Sequence, residues 1–181
     1  TWNHSVISSI TALASAAGSF AAHAQTLRVG VGAQVTSLDP HYHNISPNTA
    51  FAGMVFGALA DTDANSKIQP SLAESWKVVA EDVWEFKLRP GVTFQNGTPF
   101  TADDFAFTIE RIPLVVNSPG SFATYTQAIR AVEVVDPLTL RISTKGPYPT
   151  LAIDLAQVFI LSRKIHTGAT TDRFNNGELA I

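Results

Sequence analysis

Pro70-Ser71-Leu72-Ala73-Glu74-Ser75-Trp76, followed by Trp84-Glu85-Phe86-Lys87-Leu88-Arg89-Pro90-Gly91-Val92-Thr93-Phe94, decides how this chain folds. Pro70 to Ser75 reads as a short helical turn. Trp76 to Val79 and Val83 to Leu88 read as two short strands, and Glu81-Asp82 between them is a tight enough connection for a hairpin. Arg89-Pro90-Gly91 and Gln95-Asn96-Gly97 are turns. Thr101-Ala102-Asp103-Asp104 carries the capping-box pattern, with Thr101 at the N-cap and a carboxylate three residues on. The helix that follows is expected to run to about Ile112, where Pro113 stops it. Phe105, Ile109 and Ile112 form its buried stripe.

Beyond this stretch, Ile129 to Val135 and Leu138 to Ser143 predict a second hairpin around Asp136-Pro137. Thr150 to Ala156 reads as helical, and Val158 to Leu161 as a short apolar strand. The tail after Ser162 is polar and carries no clear pattern. On the N-terminal side, Leu27, Val29 and Val31 alternate through Thr26 to Ala33, which suits a strand. Gly30 and Gly32 do not make a nucleotide loop, because the third glycine and the following helix are missing. Ser37-Leu38-Asp39-Pro40 is a turn. Asn48 is expected to cap a helix over Thr49 to Leu59, with Phe51, Val55 and Leu59 on one face. Hairpins mix with helices, with no regular βαβ alternation and no internal repeat, so the fold class is mixed α/β.

The chain has 181 residues, 45% hydrophobic and 15% charged, which excludes a disordered chain. Twelve Lys and Arg against 15 Asp and Glu leave a net charge of -3, so no basic surplus points to nucleic acid. The absence of cysteine excludes disulfides, thiolate metal sites and a cysteine nucleophile. Val6 to Ala24 is small and apolar and ends in Ala22-His23-Ala24, the A-x-A pattern of a signal peptidase site. Residues 1–24 therefore read as an export signal cleaved after about Ala24, its charged n-region truncated. Serines, Gly18 and His23 dilute the run too far for a membrane anchor. The alternative is an amphipathic helix of the mature chain.

Three of these patterns together resemble the solute-binding proteins of bacterial peptide and nickel ABC importers, the family of dipeptide- and oligopeptide-binding proteins. They are Ser37-Leu38-Asp39-Pro40 with Phe56-Gly57-Ala58-Leu59, the Pro70 to Phe94 run, and Gly97-Thr98-Pro99-Phe100-Thr101-Ala102-Asp103-Asp104-Phe105 with Glu110-Arg111. The resemblance implies the N-terminal part of a two-lobed, type II periplasmic-binding-protein fold. Residues 25–59 would open lobe I, 60–149 would form its accessory subdomain, and 150–181 would return to it. Members of the family are much longer, so the second lobe would be missing and the chain truncated at both ends. The carboxylate that holds a peptide's ammonium group in relatives lies on that second lobe, so weak or no solute binding is expected of this chain alone. The implied function is a periplasmic, monomeric solute-binding subunit. It would carry short peptides to the permease and ATPase subunits of an ABC importer, without a cofactor. Nickel complexes and other small solutes are the alternative cargo.

By the same resemblance, His41-Tyr42-His43-Asn44 lines the solute cleft, the alternative being an exposed polar loop. Phe122 and Tyr125 reach that cleft from the accessory subdomain, or else pack against the preceding helix. His41 and His43 flank one residue and in a strand would face the same side, a weak metal signal without a third donor. Trp76 and Trp84 read as a cross-strand aromatic pair, and Asp103 and Asp104 as helix-capping carboxylates. Arg111 is read either as a carboxylate binder or as half of a surface pair with Glu110 or another neighbour. No G-x-S-x-G or H-E-x-x-H occurs, so an enzyme is disfavoured. A pure interaction protein, docking without a cleft ligand, is the third class.

Overall fold

The computed structural model describes residues 32–179, so the expected export signal and most of the Thr26 to Ala33 strand lie outside the described residues. The centre is an antiparallel four-stranded sheet in the order β3-β4-β6-β5. Its strands are β3 (Ala73–Ala80), β4 (Val83–Leu88), β5 (Ile129–Asp136) and β6 (Thr139–Thr144). Both expected hairpins are present, β3-β4 around Glu81-Asp82 and β5-β6 around Pro137-Leu138. A separate antiparallel pair joins β1 (Ala60–Thr62) and β2 (Ile68–Pro70). Pro70 to Ser75 is therefore not helical: the chain leaves β2, bends and enters β3. Backbone bonds from Leu72 and Ala73 to the carbonyls of Ala58 and Leu59 pull this segment out straight.

Strand alternation separates the two faces of the sheet. Phe86 is fully buried and stacks on Trp76 at 6.0 Å and Trp84 at 6.3 Å between ring centres. Leu140 and Ile142 of β6 lie beside it in the same core. The opposite face carries a ladder of alternating charge that crosses all four strands in register: Lys77, Glu85, Arg141, Glu133. Glu85 sits 3.3 Å from Lys77 and 3.0 Å from Arg141. Hydrogen bonds from Arg141, then from Lys77, hold the Glu85 carboxyl below its ordinary range. Register shifts interrupt both edge strands, β3 and β5, which blunts them against pairing with another chain.

Helix α2 (Ala102–Arg111) begins where the capping pattern sets it. The Asp104 carboxylate accepts the Thr101 backbone N–H at 2.9 Å and the Thr101 hydroxyl at 3.2 Å. Its other oxygen accepts the Arg163 backbone N–H at 2.9 Å, which ties the helix start to the C-terminal segment. Phe105 and Ile112 are buried as the stripe requires. Gly97 closes the preceding turn at φ 80°, a left-handed conformation that costs a side chain energy.

Helix α1 (Ser46–Val55) starts earlier than expected, and Leu59 lies beyond its end. Asn48 is not its cap. The Asn48 side chain is buried and bonds back to Thr36, accepting its N–H at 2.9 Å and donating to its hydroxyl at 3.1 Å. Pro47 in the first turn supplies the preset φ instead. The expected helix near Thr150 is α3 (Leu151–Leu155). Val158 to Leu161 is buried but forms no strand. Its donors go singly to dispersed partners, Ile160 to the Gly57 carbonyl at 2.8 Å and Leu161 to the Thr108 hydroxyl at 3.0 Å. The tail after Ser162 is ordered into α4 (Arg163–His166) and α5 (Thr171–Asn175), and Phe174 anchors it in a second apolar cluster with Phe107, Leu161 and Leu179.

Candidate functional site

The Leu38-Asp39-Pro40 turn is held from within. The Asp39 carboxylate is buried and accepts a bidentate fork from Arg111, at 3.0 Å and 2.7 Å. It also accepts the His41 backbone N–H at 3.0 Å and the Thr171 hydroxyl at 2.8 Å. Arg111 therefore does bind a carboxylate, but an internal one, and its expected surface pairing with Glu110 does not form. The guanidinium lies over the Phe174 ring, 5.1 Å from its centre. Phe174 stacks in turn on His166 at 5.4 Å. From the tail, the Asn175 side-chain oxygen accepts the Ser37 hydroxyl at 2.9 Å and the Leu38 N–H at 2.8 Å.

His41 belongs to this cluster and not to a solvent-facing wall. It is 1% exposed. Its Nε2 faces the Phe159 carbonyl at 2.8 Å, and its Nδ1 faces an Arg111 N–H at 2.9 Å. A carbonyl needs a donor and a guanidinium needs an acceptor, so these partners assign the neutral tautomer with hydrogen on Nε2. Burial, then the Arg111 charge, pushes its pKa down to about 4. With both ring nitrogens engaged, His41 cannot join His43 on a metal in this arrangement. Among the described residues no group of three or more His, Cys, Asp or Glu is placed to hold a metal ion. Phe122 is also interior, 1% exposed and packed edge-on to His41 at 5.9 Å.

The other four predicted residues, Tyr42, His43, Asn44 and Tyr125, are half-buried and together. Residues 42–44 run beside the loop that follows α2. Asn117 takes φ 55°, a left-handed turn that asparagine tolerates, and the Ser118 hydroxyl then donates to the Tyr42 carbonyl. His43 pairs with Gly120 as a single parallel bridge, and the Asn44 N–H donates to the Gly120 carbonyl at 2.8 Å. A Cβ at Gly120 would lie 3.3 Å from the His43 ring, so glycine allows this close approach. Asn44 Nδ2 donates to the Tyr125 hydroxyl at 3.2 Å, and His43 Nδ1 faces the Thr36 hydroxyl at 3.2 Å. Among the described residues no hydrogen bond engages His43 Nε2. The result is a segment of amide, imidazole and phenol groups on a hydrogen-bonded backbone. Tyr42 also borders a cavity of about 900 Å³, lined by Phe107, Arg111, Arg163 and Thr171 among others. A second cavity of about 480 Å³ lies between α2 and β5 and touches none of the six predicted residues.

The buried cluster makes stability depend on pH. Burial opposes the Asp39 charge, but the Arg111 hydrogen bonds and charge, with His41 and Thr171, hold its carboxyl below the ordinary 3.8. Its stabilisation is present above that value and is lost as pH falls below it. His41 acts earlier. The unfolded chain takes up a proton near pH 6.5 while the folded one resists until about 4, so stability falls as pH drops through that window. A shift of that size is worth about 3 kcal/mol. His166, lowered by burial and by Arg111, acts in the same direction. Urea unfolding between pH 7 and pH 4 is expected to give a falling free energy, with a slope shallower by about one proton in His41→Gln. An unchanged slope contradicts the neutral assignment of His41.

A family profile described as Bacterial extracellular solute-binding proteins, family 5 Middle matches residues 67–178. The periplasmic oligopeptide-binding protein OppA of Haemophilus influenzae is 31% identical over 131 residues, 68% of this chain and 24% of that protein. Among solved structures, MoaA of A. tumefaciens R10 in complex with mannopinic acid superposes with TM-score 0.65 at 33% identity. The match covers 78% of this chain and 30% of MoaA. NikZ of Campylobacter jejuni in complex with Ni(L-His) superposes with TM-score 0.66 at 27% identity, over 79% of this chain and 29% of NikZ. The chain thus spans about a quarter of the length of the curated relatives it matches.

Proposed function

Because the chain belongs to the bacterial extracellular solute-binding proteins of family 5, we propose that it is the N-terminal part of a periplasmic solute-binding subunit of an ABC importer, and that its cargo is short peptides. The observation that carries the peptide reading is the Tyr42, His43, Asn44 and Tyr125 patch. Its half-buried groups are an amide, an imidazole and two phenols, the amide and one phenol hydrogen-bonded to each other. Such groups satisfy the N–H and C=O of a peptide backbone, which repeat whatever the side chains are. The scaffold beneath is already hydrogen-bonded through Asp39, Arg111 and Ser118, so a solute bound there does not have to form those contacts. Residues 25–59 would open the first lobe, 60–149 would form its accessory subdomain, and 150–181 would return to it. Binding and release, not bond making, is the activity; delivery is to a membrane permease.

The full-length gene product is to be screened by thermal shift against di- and tripeptides, Ni(L-His) and mannopinic acid, with hits titrated by calorimetry. The proposal expects a rise in melting temperature with peptides, growing with concentration as mass action requires. A response to Ni(L-His) or mannopinic acid alone overturns the peptide reading and keeps the family role. Peptide turnover during the titration overturns the assignment as a binding subunit.

A further inference from the structure

We propose that Arg111 is a positioning residue for the Tyr42–Asn44 face, an inference that rests on the solute-binding reading of that face. The two segments that build the face are joined beneath it by one side chain. Arg111 is the last residue of α2, and the chain continues from it through the 3-10 turn Ile112–Leu114 to Ser118 and Gly120. Its guanidinium reaches across to the other segment and grips it at two places, the Asp39 carboxylate and His41 Nδ1. His41 passes the hold on to the Phe159 carbonyl, and Thr171 completes the shell around Asp39. Residues 39 and 41 are thereby fixed immediately before Tyr42, and the Tyr42 N–H closes the turn on the Asp39 carbonyl at 3.2 Å. Ser118 and Gly120 fix the next three residues from the other side. One planar fork therefore joins the two segments at the base of the face, below the direct contacts at Ser118 and Gly120. Lysine, a point charge on a flexible stem, cannot reproduce the planar bidentate fork on Asp39 together with the His41 contact.

Hydrogen exchange resolved residue by residue, on the full chain carrying Arg111→Lys, tests this. The Tyr42 and Asn44 amides are expected to exchange at least about tenfold faster relative to the wild type than the β4 and β6 amides of Phe86 and Leu140 do, because only the local opening is eased. A uniform acceleration of all four amides, or none, overturns the proposal, since a merely structural residue lowers global stability evenly. Should Arg111→Lys fail to fold, Thr171→Val removes one bond from the Asp39 shell. It is expected to give the same selective pattern at smaller size, and an even pattern there overturns the proposal equally. Failure of the wild-type protein to bind any peptide would overturn the cargo reading while leaving the exchange result intact.

Discussion

Replacing Arg111 with Met costs about 3–5 kcal/mol of folding free energy, because the Asp39 carboxylate stays buried without its cation. The Asp39 side chain has no exposed surface and Arg111 only 8%. Among the described residues the Thr171 hydroxyl and one backbone N–H are all that would remain on the Asp39 carboxylate. The effect of the pair is not the same as the effect of either partner. An Asp39→Leu, Arg111→Met double variant removes both charges and is expected to recover most of the loss, since an apolar pair of similar volume is often neutral against a buried ion pair. Urea unfolding of the single and double variants gives both numbers. A single variant within about 1 kcal/mol of the wild type contradicts the buried pairing, because that is the size of an exposed ion pair.

Phe86→Ala is expected to cost about 3–5 kcal/mol, the sum of lost transfer energy and an unfilled cavity. Phe86 is fully buried, sits on a central strand and contacts an indole on each side. Trp76 and Trp84 sit on strands whose registers are pinned by the Lys77-Glu85-Arg141-Glu133 ladder on the other face. The melting temperature is expected to fall by about 10 °C or more. A loss below about 1 kcal/mol would show that the two indoles repack and that the sheet is softer than described.

The hairpins were legible because their signals are local. Two short runs of strand-forming residues joined by a tight connection, Glu81-Asp82 in one case and Asp136-Pro137 in the other, specify β3-β4 and β5-β6 without help from the rest of the chain. Helix α2 was legible for the same reason, its cap and its stop both lying within a dozen residues. The Pro70 to Ser75 stretch was misread because its conformation is imposed by bonds to Ala58 and Leu59, not by its own residues. Val158 to Leu161 has a strand's composition, but a strand also needs a partner edge.

The site divides along the same line. Tyr42 to Asn44 and Tyr125 were reachable through the Leu-Asp-Pro pattern and its neighbours; of these, Asn44 and Tyr125 bond to each other, while Tyr42 borders the larger cavity. The burial of His41 and Phe122 was not reachable, because it depends on Arg111 and Phe159, far along the chain. Asp39 and Arg111 were each seen, but nothing local pairs residues that far apart. One signal was available: a carboxylate placed before proline in a turn flanked by Leu38 and His41 has little room to stay in water. Phe174 was overlooked as a single aromatic in a polar tail, yet it supports both Arg111 and His166.

The most direct test of the face itself is a titration of the tightest-binding peptide from the solute screen into the full-length product, wild type and Asn44→Ala. Among the described residues the Asn44 side chain bonds only to Tyr125, so its removal leaves the scaffold standing. The account predicts at least about a tenfold loss of affinity with a melting temperature within a few degrees of the wild type. Equal affinity for the two proteins would contradict it and move the solute away from the Tyr42–Asn44 segment.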